Sequence, residues 1–281
     1  MNKRRAFSPK SFVSLVFVYI LILVLLAFAL IPIIYVVGLS FSPGSTLYMD
    51  TIFPTNPTLD NYKTLLSGTL FPRWYLNTIV AGLLTSVVTL LLCAPTAYAF
   101  SRLRFKGRKP FLLVLLVLQM FPGMMAMVAY YVLLNMVGLL DTTPGLVILY
   151  SGAAVTGNTW LLKSFYDTVP KALEEAALID GANRFQLFTR ILLPLSYPML
   201  VLVGVFSFAA PFGDFVLSRI VLTRPENYTL ALGTYNFIAS DFGNNFTVFA
   251  ASSVLASLPI TILYLLLQKT MVTGFKGAVV R

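Results

Sequence analysis

The chain has 281 residues, of which 58% are hydrophobic and only 11% are charged, and its mean hydropathy is +0.86. A soluble domain of this length needs more polar surface, so the composition excludes that class and predicts an integral membrane protein. Histidine is absent and the single cysteine, Cys93, lies in an apolar run, which excludes a disulfide framework and a metal site with histidine and cysteine ligands.

The first apolar run, residues 12–39, is long enough to cross about 30 Å of hydrocarbon. Basic residues precede it, and they favour a cytoplasmic amino terminus: Lys3, Arg4, Arg5 and Lys10. A cleaved secretory signal is the alternative, because Ala27 and Ala29 form an A-x-A pattern. The apolar run continues well beyond those alanines, which favours a retained span.

Residues 40–74 are rich in proline and polar side chains, and they predict an external loop with a short helix at 59–66. Further spans are predicted at roughly 76–100, 110–134, 144–162, 197–222 and 246–268. With the first run these make six spans, which place both termini on one side of the membrane.

The lysines and arginines test this topology. In it, 16 of the 20 basic residues lie on the cytoplasmic side, as the positive-inside rule requires. This distribution also explains the formal charge of +10 without any nucleic-acid partner.

Prolines occur inside most of the predicted spans: Pro32, Pro95, Pro122, Pro211 and Pro259. A proline frees a carbonyl that needs a partner in lipid, so such positions favour helices that face other helices or a cavity. Ordinary kinks of a helix bundle, with no role in binding, are an equal alternative.

The one long polar stretch between spans is residues 167–195, which predicts two helices with a break between them. Asp167 or Thr168 is a plausible N-cap for the first helix, and Gly181 is placed to end it in a left-handed conformation. The second helix, residues 184–193, should stop before Pro194. Such a pair could be a docking surface, an interfacial amphipathic helix, or a well-capped loop.

The polar stretch resembles the cytoplasmic EAA signature of ABC importer permeases. The matching residues are Glu175, Ala176, Ala177, Asp180, Gly181, Ala182, Ile191, Leu193 and Pro194. Outside it, similarity to the smaller permease of maltose and maltodextrin importers lies in Thr58-Leu59-Asp60-Asn61-Tyr62, Gln119-Met120-Phe121-Pro122, Tyr228-Thr229-Leu230-Ala231, Leu258-Pro259-Ile260 and Val272-Thr273-Gly274-Phe275.

The resemblance implies an all-α polytopic permease of the bacterial cell membrane whose coupling loop docks on a cytoplasmic ATPase dimer. The residues that it assigns to coupling are Glu174, Glu175, Ala176, Ala177, Asp180 and Gly181. It makes Glu174 and Glu175 the acidic contacts to the ATPase, and residues 275–281 a second contact. A second permease subunit and an extracytoplasmic binding protein, reached by the loop 222–245, complete the expected assembly.

The chain is expected not to be an enzyme. It has no G-x-x-x-x-G-K-[ST] sequence, so ATP and magnesium are expected on the partner ATPase. A hydrolytic site of serine, histidine and an acidic residue is also excluded, because histidine is absent. Transport is then alternating access driven by closure and opening of the ATPase dimer.

The expected cargo is a carbohydrate, and a maltodextrin-like oligosaccharide is favoured by the resemblance. Candidate contacts inside the spans are Gln119, Asn158, Phe208, Phe212 and Asp214. Phe212 to Phe215 resembles a W-N-[DE]-F element of sugar permeases, with Phe and Gly in place of Trp and Asn. The alternatives are an ion-coupled secondary transporter and an ABC importer for another solute, and Asp214 is the one acidic candidate within a span for the former.

Overall fold

The computed structural model describes residues 9–239 and 244–279, and the side chains of residues 14–239 and 244–271. Lys3, Arg4 and Arg5, part of the predicted external loop (240–243), and the side chains of the predicted second contact, 275–281, lie outside the described residues. The chain divides into two compact units, residues 1–68 with 237–255 and residues 69–236 with 256–281. Each unit is described by itself.

The first unit contains α1, Pro9–Ser40, and α2, Asp60–Ser67. From Ser14 onwards α1 is apolar on every side and its mean hydropathy reaches 3.2, which is typical of a membrane-spanning helix. After α1 the chain turns back, and the Asn61 amide donates to the carbonyls of Ser40 at 2.9 Å and Ser42 at 2.8 Å. The short helix predicted at 59–66 is confirmed, one residue later along the chain.

The second unit begins with α3, Phe71–Arg102, and α4, Arg108–Met120. It continues with a 3₁₀ turn at Gly123–Ala126, α5 at Met127–Met136, α6 at Thr143–Thr168, α7 at Lys171–Ile179, α8 at Arg184–Gln186, a π-helical stretch at Leu187–Leu192, α9 at Leu193–Leu195, α10 at Tyr197–Gly213, α11 at Val216–Val221, a 3₁₀ turn at Pro225–Asn227 and α12 at Leu230–Tyr235. The last helix, α13 at Phe246–Val279, belongs to this unit from Ala256 onwards.

The core of the second unit lies where α3, α6 and α10 pack together. Its fully buried side chains include Cys93, Leu162, Tyr166, Met199 and Leu202. Small residues allow the helix backbones to approach closely, as is common in membranes. At Gly82 of α3, an added Cβ would lie 2.6 Å from the carbonyl oxygen of Phe208 in α10.

The span predicted at 110–134 is two helices. Residues Arg108–Met120 and Gly123–Met136 meet at 89° across Phe121 and Pro122. Pro122 has no N–H and disfavours the helical conformation of the residue before it, and Phe121 is extended, with φ −76° and ψ 123°. Pro122, which we predicted to lie inside one span as a kink or beside a cavity, therefore divides that span into two helices.

The span predicted at 197–222 is also divided. It becomes α10, which ends at Gly213, and the short α11, because Asp214 is extended. The Asp214 carboxylate then accepts the backbone N–H of Leu217 at 3.0 Å and so helps α11 to begin.

Among the described residues, four helices are long and apolar enough to cross a membrane: Ser14–Ser40, Phe71–Arg102, Thr143–Thr168 and Phe246–Met271. Two bent helix pairs, at 108–136 and 184–213, raise this number to six if each pair counts as one span.

Candidate functional site

The predicted coupling segment folds as two short helices, but the first one starts later than expected. Its N-cap is Pro170, and the predicted caps Asp167 and Thr168 belong to the last turn of α6. The Asp167 carboxylate is occupied there, because it accepts from the Ser101 hydroxyl at 2.6 Å and from Lys163 Nζ at 2.6 Å. The N-cap prediction was wrong because α6 extends through those residues to Thr168.

The turn after α7 is a Schellman motif, in which Gly181 takes the left-handed conformation with φ +86°. The N–H of Gly181 donates to the carbonyl of Leu178 at 3.1 Å, and the N–H of Ala182 donates to the carbonyl of Ala177 at 2.9 Å. The predicted role of Gly181 in ending the helix is confirmed. Glycine is favoured here because of its backbone conformation and not because space is limited, since an added Cβ would meet no atom within 4 Å.

The next helix begins with a capping box. The side chain of Asn183 accepts the N–H of Gln186 at 2.9 Å, and the side chain of Gln186 accepts the N–H of Asn183 at 2.8 Å. Helical structure then continues through the π-helical stretch to Leu195, so the prediction that it stops before Pro194 was wrong. Pro194 lies in the first turn of α9, directly after the π-helical stretch.

The two helices present a surface of apolar and acidic side chains, which we call the α7–α8 surface: Leu173, Glu175, Ala176, Ile179 and Phe185. Ile179 is 87% exposed and Phe185 is 73% exposed, although both belong to a well-capped and ordered segment. Large apolar side chains that are exposed on a capped segment are typical of an interaction site. Of the other predicted coupling residues, Asp180 and Gly181 are exposed and Ala177 is half-buried.

Glu174 has a different environment from its neighbour. It is buried, and its Oε1 accepts a hydrogen bond from Nε of Arg102, the last residue of α3, at 2.5 Å. Arg102 Nη2 also donates to the carbonyl of Val169 at 2.8 Å, between α6 and α7. The expectation that Glu174 faces a partner protein therefore needs correction, because this carboxylate is enclosed by its own chain. Only Glu175 of the two is free to meet another subunit.

A second ion pair joins the loop between α5 and α6 to the segment that follows α11. Asp141 has φ +58°, its carboxylate accepts the N–H groups of Thr223 at 3.0 Å and Arg224 at 3.1 Å, and it pairs with the Arg224 side chain. Burial alone would raise the pKa of Asp141, but these hydrogen bonds outweigh it and lower the pKa to about 2. Sequence reasoning missed Asp141, because its partners lie more than 80 residues away and no local pattern connects them.

Two cavities of similar size but opposite chemistry open beside these helices. One, of about 540 Å³, is almost entirely apolar and lies between α3, α10 and α13, with Leu83, Val201 and Ile262 in its wall. The other, of about 560 Å³, lies at the break between α4 and α5, and a substantial part of its wall is polar. Its lining includes Gln119, Phe121, Tyr130, Gly152 and Thr156.

The structure separates the five residues that the sequence suggested as sugar contacts. Gln119 lines the polar cavity, Phe208 lines the apolar one, and Asn158 lines neither. Phe208 is buried against Gly82, which leaves little of its ring for a ligand, and Phe212 packs on it with ring centroids 5.1 Å apart. The carboxylate of Asp214 accepts a backbone N–H in the first turn of α11. Gln119 is therefore the one of the five in a cavity with polar walls.

Comparison with known proteins connects this geometry to a family. Residues 75–275 match the model of the binding-protein-dependent transport system inner membrane component. The galactooligosaccharides transport system permease protein GanQ of Bacillus subtilis is 40% identical, over 94% of this chain and 95% of the relative.

Two further relatives carry maltose or maltodextrin in their names. The maltodextrin transport system permease protein MdxG of Bacillus subtilis is 40% identical, over 90% of this chain and 92% of the relative. The maltose/maltodextrin transport system permease protein MalG of Vibrio vulnificus is 34% identical, over 91% and 92%.

Among solved structures, a bacterial ABC transporter involved in the import of the acidic polysaccharide alginate has a similar fold. Its TM-score is 0.82 at 24% identity, and the match covers 94% of this chain and 98% of that one.

Proposed function

Since this chain belongs to the family of binding-protein-dependent transport system inner membrane components, we propose that it is the membrane-spanning permease subunit of an ATP-driven importer for carbohydrate. The chain is a membrane protein, as its family and its several apolar helices show. The resemblance of its sequence to ABC importer permeases is confirmed. ATP hydrolysis would reside on a separate cytoplasmic ATPase dimer, and a second permease and an extracytoplasmic binding protein would complete the assembly.

The observation that carries the coupling part of the proposal is the α7–α8 surface. Its helices are capped at both sides of the turn, so the surface is preorganised, and its apolar side chains have no partner within the described part of the chain to cover them. Docking would bury Ile179 and Phe185 and place Glu175 beside basic residues of the ATPase. The distribution of lysines and arginines supports a cytoplasmic position for this surface and for both termini.

Carbohydrate is the cargo class that the relatives' names favour, with maltodextrin and galacto-oligosaccharide as the two oligosaccharides to compare. The polar cavity suits such a ligand. Irregular backbone at membrane depth is tolerated where it lines a water-filled cavity, and transporter sites are commonly built at broken helices. There the amide of Gln119 and the hydroxyls of Tyr130 and Thr156 could meet sugar hydroxyls, while Phe121 offers an aromatic face.

The docking part is tested by co-expressing the chain with its neighbouring genes and purifying it in mild detergent. We expect an ATPase to co-elute with the wild type and to be lost from Glu175→Ala and Ile179→Asp. Asp60→Ala is the matched control, because it removes an exposed acidic side chain from α2, outside the proposed surface. Retention of the ATPase by both surface variants, or its absence from the folded wild type, would contradict the proposal.

The cargo is tested by uptake of labelled maltodextrins and galacto-oligosaccharides in cells that express the complete gene cluster. We expect Gln119→Leu to raise the half-saturating sugar concentration by roughly tenfold, because a cavity wall would lose a hydrogen-bonding group. Saturating uptake of an amino acid or a cation instead of either sugar would replace the carbohydrate proposal with one of its alternatives.

A further inference from the structure

One arginine side chain at the end of α3 has three hydrogen-bond partners, two of which lie outside α3. Arg102 Nε donates to Glu174 Oε1 of α7 at 2.5 Å, Nη2 donates to the Val169 carbonyl between α6 and α7 at 2.8 Å, and Nη1 donates to Ser101 Oγ at 3.3 Å. The side chains of the ion pair are only 4% and 7% exposed. A planar guanidinium enclosed in this way fixes both the distance and the angle between α7 and α3.

Two further contacts join α3 to the same segment. Ser101 Oγ donates to Asp167 of α6 at 2.6 Å, and this carboxylate also pairs with Lys163. One turn before Arg102, the Tyr98 hydroxyl donates to the carbonyl of Arg184 at 3.4 Å, and its ring lies 5.1 Å from that of Phe188. Both short helices of the coupling segment therefore contact α3, although α3 is not their neighbour in the chain.

From these contacts we infer that Arg102 is a positioning residue for coupling, which makes α7 move together with α3. A displacement of the α7–α8 surface then reaches α3 directly, and not only through α6 and α10, to which the segment is joined in sequence. Because α3 packs along α6 and α10 in the core and lines the apolar cavity with Leu83, its movement rearranges the helix bundle. This inference rests on the proposed docking of an ATPase.

A role limited to folding gives a different expectation. If the pair only stabilises the chain, its loss lowers the yield of folded complex, but each complex that forms should still move the normal amount of sugar for each ATP. If the pair transmits movement, the complex assembles and hydrolyses ATP, but hydrolysis is no longer fully converted into uptake. The ratio of sugar transported to ATP hydrolysed separates the two roles.

The variants are chosen to preserve folding. Glu174→Gln removes the charge but keeps an acceptor of the same shape for Arg102, and Arg102→Lys keeps the charge but loses the second hydrogen bond to Val169. Asp60→Asn is the control, since it changes a carboxylate in an exposed pair with Lys63.

The experiment uses the complete importer in proteoliposomes, with its binding protein and its sugar. We expect both variants to retain the ATPase on purification and to lower the ratio of sugar to ATP by about fivefold or more, while the control keeps the wild-type ratio. An unchanged ratio in both variants would overturn the inference. If the wild type carries no ATPase, the proposed function itself fails, so that the two failures remain distinguishable.

A second measurement covers the case in which neither variant folds. Spin labels at Arg104, just beyond α3, and Lys171, at the start of α7, occupy exposed positions in an otherwise unchanged chain. We expect the distance between the labels to stay constant between the nucleotide-free and ATP-bound importer. A change in this distance would show that α7 moves independently of α3 and would overturn the inference.

Discussion

Two ion pairs each join an arginine to a carboxylate that is distant in sequence, but the two pairs differ in their exposure to water. Arg102 and Glu174 are 4% and 7% exposed, whereas Arg224 and Asp141 are 70% and 13% exposed. In the first pair both charges are withdrawn from water. In the second, water solvates the arginine, and the aspartate also accepts two backbone N–H groups. The pairing of an arginine with a carboxylate therefore stabilises the fold by different physical means at the two sites.

The largest expected effect comes from breaking the enclosed pair. Arg102→Ala leaves a buried carboxylate without its partner, and loss of one member of such a pair typically costs about 3–5 kcal/mol. We expect a large fall in the thermal midpoint of the detergent-solubilised chain. Arg104→Ala is the control, because Arg104 is exposed two residues further on. Equal thermal midpoints for the two variants would show that the enclosed pair stabilises the fold no more than an exposed arginine does.

The exposed pair should be weaker, and its strength should reside in the aspartate. Asp141→Ala removes the acceptor of two backbone N–H groups, which should cost about 2 kcal/mol. Asp141→Asn keeps one acceptor oxygen and tolerates the left-handed φ of this position, so its cost should be about half as large. Chemical denaturation monitored by tryptophan fluorescence compares the two, and a larger loss in Asp141→Asn would contradict this account.

An effect no larger than that of Asp141→Ala is expected at a position that depends on backbone geometry alone. Gly181→Ala forces a residue with a Cβ into φ +86°, at a cost of about 1–2 kcal/mol. Gly181→Asn should cost less, because asparagine adopts this conformation more readily. Affinity for the proposed ATPase, measured with both variants, should fall more for alanine. If both bind as well as the wild type, the turn does not shape the α7–α8 surface.

The sequence predicted those features whose cause is local. The end of α7 at Gly181 and the long apolar helices could both be predicted from neighbouring residues, because a glycine marks the first and apolar runs mark the second. The ion pairs could not, because Arg102 and Glu174 are 72 residues apart and Asp141 and Arg224 are 83 apart. Pro122 is evident in the sequence, but no local pattern gives the angle of 89° between the helices on its two sides.

The ionisation of Asp141 gives a smaller, pH-dependent effect. Its pKa is about 2 in the folded chain and about 3.9 when unfolded, so the stabilisation is complete above about pH 4 and is lost as the pH falls towards 2. After allowance for solvent screening this contribution is on the order of 1 kcal/mol. Other carboxylates titrate in the same range. The measurement is therefore the difference in the free energy of unfolding between the wild type and Asp141→Asn. This difference should become smaller as the pH falls from 5 to 3.

The smallest expected effect is the loss of the exposed arginine. Arg224→Ala removes the ion pair but leaves the backbone N–H groups of Thr223 and residue 224 on the Asp141 carboxylate. An exposed pair of this kind contributes about 0–1 kcal/mol, and salt should reduce the difference from wild type further. Added salt should leave the effect of Arg102→Ala almost unchanged, because ions do not reach an enclosed pair. If Arg224→Ala were as damaging as Arg102→Ala at every salt concentration, enclosure would not be what distinguishes the two ion pairs.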